Sequence, residues 1–376
     1  MSRRLRIGIV GFGHVHVNFV SSLYQAHPRA QLVACADTRP LRPELRAAPY
    51  TREWNREYVM RQCGLDKLYD DWREMLAKES LDAAIVTCEN ARHGEVAEAC
   101  ARAGVHVCVE KPLAATWEEA QRMTRASREA GTLLLVNWPS AWLPHARKAK
   151  ELIDAGMIGR VLEVGYRVGD TGVLGRGARH KLAETAGEMT GEERGATWWH
   201  QVETGGGAFL DLCCYGAMYS RWFTGESAIS ALGLKANLDS EWADAEDFGS
   251  LLIRFPHAVG SGQGSWATFG SEYLKTSPVA AYGSAGLLSF PIYGGQPVVV
   301  LERPGAAPET IEPDPLPAGR ANIAEEFLHC IETGDAPFPI LAPEFNLEVM
   351  DILEAGARSA ASGRMEPVDR ASWSAA

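Results

Sequence analysis

A chain of 376 residues has room for two domains of ordinary size. Its 46% apolar and 23% charged content is that of a soluble globular protein, not a disordered or fibrous one. The net charge of −11, with no dense Lys/Arg run, argues against a nucleic-acid footprint, and no apolar stretch is long enough to span a membrane. The eight cysteines (35, 63, 88, 100, 108, 213, 214 and 330) show neither Cys-x-x-Cys spacing nor a paired framework. That usage reads as reduced core thiols and a cytoplasmic setting, and Leu5 to Val10 is too short for a secretory segment.

In chain order, Leu5 to Val10 reads as a strand running into Gly11-Phe12-Gly13-His14-Val15-His16, with a helical pattern following through Phe19, Val20 and Leu23. Two glycines at such a turn let backbone amides approach a pyrophosphate that also faces a helix N-terminus. His16 stands where a third glycine is usual, so the motif alone leaves a purely structural turn open. The strand Gln31 to Ala36 ends in Asp37-Thr38-Arg39. A carboxylate there can bond the adenosine ribose of NAD and repel a 2′-phosphate. Arg39 and Arg42 are guanidiniums able to accept that phosphate, so NAD is favoured and NADP stays open.

Leu81 to Thr87 reads as a strand and Ala91 to Ala103 as a helix. Thr87, Asn90 and His93 then lie at the same sheet edge as Gly13, with Asn90 also fitting a simple helix cap. The apolar run Val105 to Val109 ends in Glu110-Lys111-Pro112, putting a carboxylate and an amine where ligands bind in open α/β sheets. The helix Thr116 to Ala130 and the strand Thr132 to Trp138 complete an alternation that implies a doubly wound parallel sheet. The expected boundaries are a dinucleotide-binding Rossmann domain over 1–138 and a substrate-binding and oligomerisation α/β domain over 139–376.

In the second part, a helix covers Lys148 to Ala155 and a strand Val161 to Val168. Gly169 to Thr197 is long, polar and aperiodic, as functional loops and interface arms are. Trp199 and His200 precede the run Gly205-Gly206-Gly207, and Ala208 to Phe223 reads as one regular helix. On that helix Asp211 and Tyr215 are four apart and share a face. A phenol beside a fixed ammonium is a proton acceptor, so Tyr215 fits that role if Lys111 lies beside it; a core tyrosine on a buried helix is the other reading. Six short segments between Ala231 and Leu301 read as mostly antiparallel strands of one large open sheet. Arg303 to Pro317 reads as a Pro-rich connection, ahead of helices at Ala321 to Thr333 and Pro343 to Ala361. No His/Cys/Asp/Glu run has metal-ligand spacing, so no metal is expected.

Taken together, Val10-Gly11-Phe12-Gly13, Asp37, Asp82 to Thr87, Asn90, His93, Glu110 to Ala114, Gly205 to Asp211 and Glu325-Glu326-Phe327 resemble the Gfo/Idh/MocA oxidoreductases over essentially the whole chain. The resemblance implies NAD(P) chemistry at a hydroxyl or carbonyl of a sugar, glycoside or cyclitol. It also implies pairing into homodimers or homotetramers through the open sheet. Lys111 then matches the catalytic lysine, Glu110 a support for the nicotinamide region, and Asp211 the acid of the substrate-side helix. Tyr215 resembles the acid/base of the tyrosine branch that includes glucose-fructose oxidoreductase and dihydrodiol dehydrogenase. Trp199 and His200 are candidate substrate contacts. The chain departs from the family's Thr-Pro-Asn turn, reading Thr87-Cys88-Glu89-Asn90. Two other readings accompany the dehydrogenase: an NAD-dependent glycosidase cycling through a keto-sugar, and a non-catalytic sugar-sensing regulator.

Overall fold

The computed structural model describes residues 3–175, 187–268, 279–291 and 296–369. Its first sheet holds six parallel strands, β1 (Leu5–Val10), β2 (Ala30–Ala36), β3 (Leu68–Tyr69), β4 (Ala83–Val86), β5 (His106–Glu110) and β6 (Leu134–Asn137). β4 and β6 are buried along their whole length, which explains their unbroken apolar sequences: helices cover both faces of such a sheet. The strand order β3-β2-β1-β4-β5-β6 reverses direction at β1, so the crevice lies at the carboxyl ends of β1 and β4. Local chemistry punctuates the helices between. Thr116 caps the helix Trp117–Ala130 by accepting from the Glu119 amide, and Gly131 ends it in the left-handed region.

The second sheet has nine strands: β7 (Val161–Gly169), β8 (Ser230–Ala236), β9 (Phe248–Arg254), β10 (Val259–Ser265), β11 (Val279–Gly283), β12 (Leu287–Phe290), β13 (Val299–Glu302), β14 (Glu309–Ile311) and β15 (Glu366–Pro367). Of its pairings only β7 with β10 is parallel. The expected fold class, a parallel Rossmann sheet joined to a large, mostly antiparallel one, is the architecture observed.

Several short elements escape the sequence pattern. β3 and β15 have two residues each, and β14 lies within the stretch read as a Pro-rich connection. Such short edge strands carry no period to detect. The helices Arg52–Cys63 and Trp72–Lys78 are strongly charged, which hides their apolar faces. The long polar stretch contains a one-turn helix, Gly191–Gly195, closed by a capping box between Thr190 and Glu193. Residues 176–186 of that stretch lie outside the described residues.

The segment expected as one regular helix is two. Phe209–Cys213 winds as a π-turn, and an α-helix follows over Cys214–Thr224. The wider turn is a common device at functional sites, because it frees a main-chain carbonyl for other partners. The α-helix then lies directly on β10. A Cβ at Gly216 would stand 2.4 Å from Gly262 Cα, so neither helix nor strand tolerates a side chain at the crossing.

Direct bonds join the two sheets' surroundings. The Trp138 indole donates to Asn346 Oδ1 at 2.6 Å, Trp198 to the Gly13 carbonyl at 2.7 Å, and Asn90 Nδ2 to the Gly205 carbonyl at 2.8 Å. All six residues are buried, so these are internal fastenings of the cleft. Because Gly216 sits beside Tyr215, its contact with Gly262 also sets the height of that phenol above the sheet. Gly216→Ala should lower stability by about 1–3 kcal/mol through overpacking against backbone, read as a shifted urea midpoint with an unchanged slope.

Candidate active site

The glycine turn after β1 is a close contact between two loops. Gly11 has φ +93°, and a Cβ there would meet Cys88 N at 2.4 Å. Thr87 Oγ1 donates to the Gly11 carbonyl at 2.7 Å, while the His14 amide donates to the Thr87 carbonyl at 2.9 Å. His93, fully buried, faces the Pro112 carbonyl with Nδ1 at 3.2 Å and the Cys88 carbonyl with Nε2 at 3.3 Å. Burial pushes its imidazole below the ordinary pKa. Thr87, Asn90 and His93, expected to touch cofactor, are buried at this sheet edge and brace its loops.

Asp37 sits at the end of β2, where the sequence puts it. Its Oδ1 accepts from the Phe12 amide at 3.1 Å, the Thr38 amide at 2.8 Å and Arg52 Nη1 at 2.6 Å. Among the described residues Oδ2 takes no hydrogen bond, leaving it for a ligand. Arg52 is nearly buried and also binds Glu89 Oε2 at 2.6 Å, an oxygen shared with Thr38 Oγ1 at 2.8 Å. Burial works against charge in this cluster and raises the Asp37 carboxyl. Glu89 is also penalised by burial, yet Arg52 and its hydrogen bonds hold it below the usual range. Arg42 turns away to Glu203 and Asp244, and Arg39 is exposed.

Lys111 emerges from β5 with a buried side chain aimed across the cleft. Its Nζ donates to Asp211 Oδ1 at 2.5 Å and to the Asp211 carbonyl at 2.9 Å. The second bond exists because the π-turn leaves that carbonyl turned outward. Burial disfavours the ammonium, but the Asp211 carboxylate outweighs it, and the Lys111 pKa lies above its ordinary value. Nζ also stands 5.0 Å from the centre of the Tyr215 ring, a cation–π contact with the ring face. Tyr215 is further held by stacking on Tyr166 at 5.7 Å and by the edge of Trp138 at 5.2 Å. Glu110 turns the other way, bonded to Asn137 Nδ2 at 2.6 Å and His16 Nδ1 at 3.0 Å.

Lys111, Asp211 and Tyr215 line one cavity of about 270 Å³ together with His14, His16 and Trp199. That is near the small end of ligand pockets, roughly 300–1,000 Å³, and suits a compact polar molecule. Five of these six were expected site residues. His16 was not, nor were Asn137, Glu89 and Arg52 named as site residues. Asn137 was within reach of the strand-end argument, since it pairs in register with Glu110. Arg52 carries no local signal, because its partners come from two other loops. His14, His16 and Glu110 also bring ligating atoms within 4.8 Å of one another, a grouping that spacing along the chain hides. The backbone amide of Lys111 and the His16 ring already engage Glu110 there.

His200 is elsewhere. It is packed edge-on between Trp242 at 4.8 Å and Trp266 at 5.3 Å and is 2% exposed, so it serves packing and does not line the Lys111 cavity.

Residues 5–138 match the family model described as the oxidoreductase family with an NAD-binding Rossmann fold, and residues 146–289 match the GFO/IDH/MocA C-terminal domain. The chain belongs to the GFO/IDH/MocA oxidoreductase family. It is 24% identical over 353 residues to scyllo-inositol 2-dehydrogenase (NAD(+)) of Bacillus subtilis, covering 93% of each chain. It is 27% identical to dTDP-3,4-didehydro-2,6-dideoxy-alpha-D-glucose 3-reductase of Actinomadura kijaniata, over 76% of this chain and 82% of that one. Among solved structures, the WlbA dehydrogenase of Bordetella pertussis in complex with NADH and UDP-GlcNAcA superposes with a TM-score of 0.72 at 25% identity, covering 98% of both chains.

As a GFO/IDH/MocA protein the chain carries an NAD-binding Rossmann domain, and its own residues fit that cofactor. Gly11 makes a turn that any Cβ would block, and Asp37 keeps one carboxylate oxygen for a hydroxyl. No helix among the described residues is long and apolar enough to cross a membrane.

The packing of His200 has a consequence for acid stability. Burial holds its pKa down to about 3, and Nδ1 has no hydrogen bond among the described residues. Below pH 6.5 the unfolded chain takes up a proton that the folded one refuses, so stability falls as pH falls through that window. Between pH 7 and pH 5 this group alone should cost about 2 kcal/mol. His200→Phe should remove that slope, measured by urea unfolding at the two pH values.

Proposed function

We propose that this protein transfers hydride between NAD(P) and a secondary hydroxyl or carbonyl of a sugar, glycoside or cyclitol, with residues 1–138 binding the dinucleotide and 139–376 the substrate. The reading rests on one observation: an ammonium, a carboxylate and a phenol converge on a small cavity at the carboxyl edge of the parallel sheet. The inositol dehydrogenase and deoxysugar reductase among the relatives support the same substrate class.

The nicotinamide cofactor, when bound, accepts or supplies the hydride. The chain's residues handle the oxygen and the proton. Lys111, kept cationic by Asp211, stabilises negative charge as it grows on the substrate oxygen. Its stem is buried and its Nζ bonded twice, so this charge is fixed before substrate arrives. Tyr215 exchanges the hydroxyl proton, in keeping with the tyrosine branch of the family. Trp199 and His14 close the opposite wall of the cavity, their rings 4.9 Å apart, and keep water from the reacting carbon.

Lys111→Ala should abolish turnover while NADH binding, read by quenching of tryptophan fluorescence, stays within a few-fold of wild type. Tyr215→Phe should lower kcat by roughly 10²–10⁴-fold with a smaller effect on KM. The decisive screen is a panel of monosaccharides, anhydrosugars, glycosides and cyclitols with both cofactors, followed by nicotinamide absorbance. Accumulation of reduced cofactor supports net oxidation; product formation without it points to a cycling glycosidase instead.

The second sheet also supports a homo-oligomer. One face is packed under helices, while Leu162, Leu234, Leu252, Val259 and Tyr282 on β7 to β11 are exposed on the other. Exposed apolar side chains set among Glu163 and Arg254 on an open sheet suit a second copy of the chain. Leu252→Lys combined with Val259→Lys should lower the mass in analytical ultracentrifugation to that of a monomer, with the fold intact by circular dichroism.

A further inference from the structure

The Asp37 end of the cleft contains a charge cluster that the hydride chemistry does not use. Arg52, from the start of the helix Arg52–Cys63, bonds Asp37 through Nη1 and Glu89 through Nη2, both at 2.6 Å. A Cβ on Gly13 would lie 3.2 Å from Arg52 Nη2 and 3.3 Å from the Glu89 amide, so the cluster packs directly against the glycine turn. Glu89 is 1% exposed, and its remaining oxygen has no hydrogen bond, with Arg92 Nε at 3.9 Å.

A guanidinium beside the acid at the end of β2 would by itself be suited to a 2′-phosphate, since it can grip phosphate oxygens in pairs. Here both of its outer nitrogens are committed. Arg52 thus lies between two carboxylates, with Arg92 near the second, and Glu44 Oε2 accepts from the Arg52 amide at 2.8 Å, a carboxyl that burial pushes up to about 7. Arg42, the other candidate, is bound to Glu203 and Asp244. Arg52 is therefore bonded on both sides by carboxylates, and Asp37 Oδ2 is left as an acceptor where a hydroxyl is welcome and a phosphate is not.

We propose that Glu89 sets the cofactor preference of this chain for the unphosphorylated dinucleotide, by holding Arg52 as a positioning residue for Asp37 and away from a 2′-phosphate. The inference rests on the dinucleotide binding at this sheet edge, and its test separates the two. Dissociation constants for NADH and NADPH are measured by energy transfer from tryptophan to the nicotinamide, for wild type, Glu89→Gln and Arg52→Gln. Wild type should bind NADH roughly tenfold or more tightly than NADPH. Glu89→Gln keeps the shape and the hydrogen bond but releases the charge, and should narrow that ratio about tenfold, chiefly through tighter NADPH. Arg52→Gln should weaken NADH and leave NADPH no better bound.

A wild-type preference for NADPH overturns the proposal, as does an unchanged ratio in Glu89→Gln that retains the wild-type melting temperature. Should Glu89→Gln not fold, Arg52→Gln decides: improved NADPH binding there is incompatible with a guanidinium held in check. Binding of neither dinucleotide by wild type would sink the cofactor reading itself, not merely the role of Glu89.

Discussion

The organisation of this protein depends on a lysine from one sheet being seated in an acid from the other. Lys111 leaves β5, crosses the cleft and ends on both the carboxylate and the carbonyl of Asp211. A buried ammonium without such partners would lose its proton or unfold its surroundings. With them, it becomes a fixed positive point in a largely apolar wall. The neighbouring features follow from that requirement. The π-turn supplies the carbonyl, the glycine crossing at Gly216 lets the helix come down onto β10, and the Trp138 and Tyr166 rings hold Tyr215 over the charge.

A second charged cluster sits at the other end of the same sheet edge and follows opposite rules. There Arg52 lies between Asp37 and Glu89 and is bonded to both. The two clusters differ in their pairing: Lys111 meets Asp211 beside Tyr215, while Arg52 is held between Asp37 and Glu89 at the end of β2. Asp37 keeps one carboxylate oxygen without a hydrogen bond among the described residues.

The parallel sheet was legible because each strand ends in a chemically marked turn: glycines after Val10, Asp37 after Ala36, Glu110 at the end of β5. Asp211 and Tyr215 were legible as sharing a helix face from their spacing, and Lys111 as a strand-end amine; their grouping came from the family resemblance. The rest depended on contacts between distant loops. Nothing near Arg52 in the chain says that Asp37 and Glu89 will close on it from two loops. His200 looked like a substrate contact because it neighbours Trp199, yet adjacent residues in a tight turn face different ways, and Trp242 and Trp266 claim it. The π-turn was invisible for a related reason, since one residue of extra winding leaves the apolar pattern almost unchanged.

That extra winding has an evolutionary side. One of the two acceptors that seat Lys111 is a peptide oxygen, present whatever side chain position 211 carries. No single codon change can delete it. A side chain changed at 211 would therefore alter the acidity around the amine, while the peptide oxygen goes on marking its place.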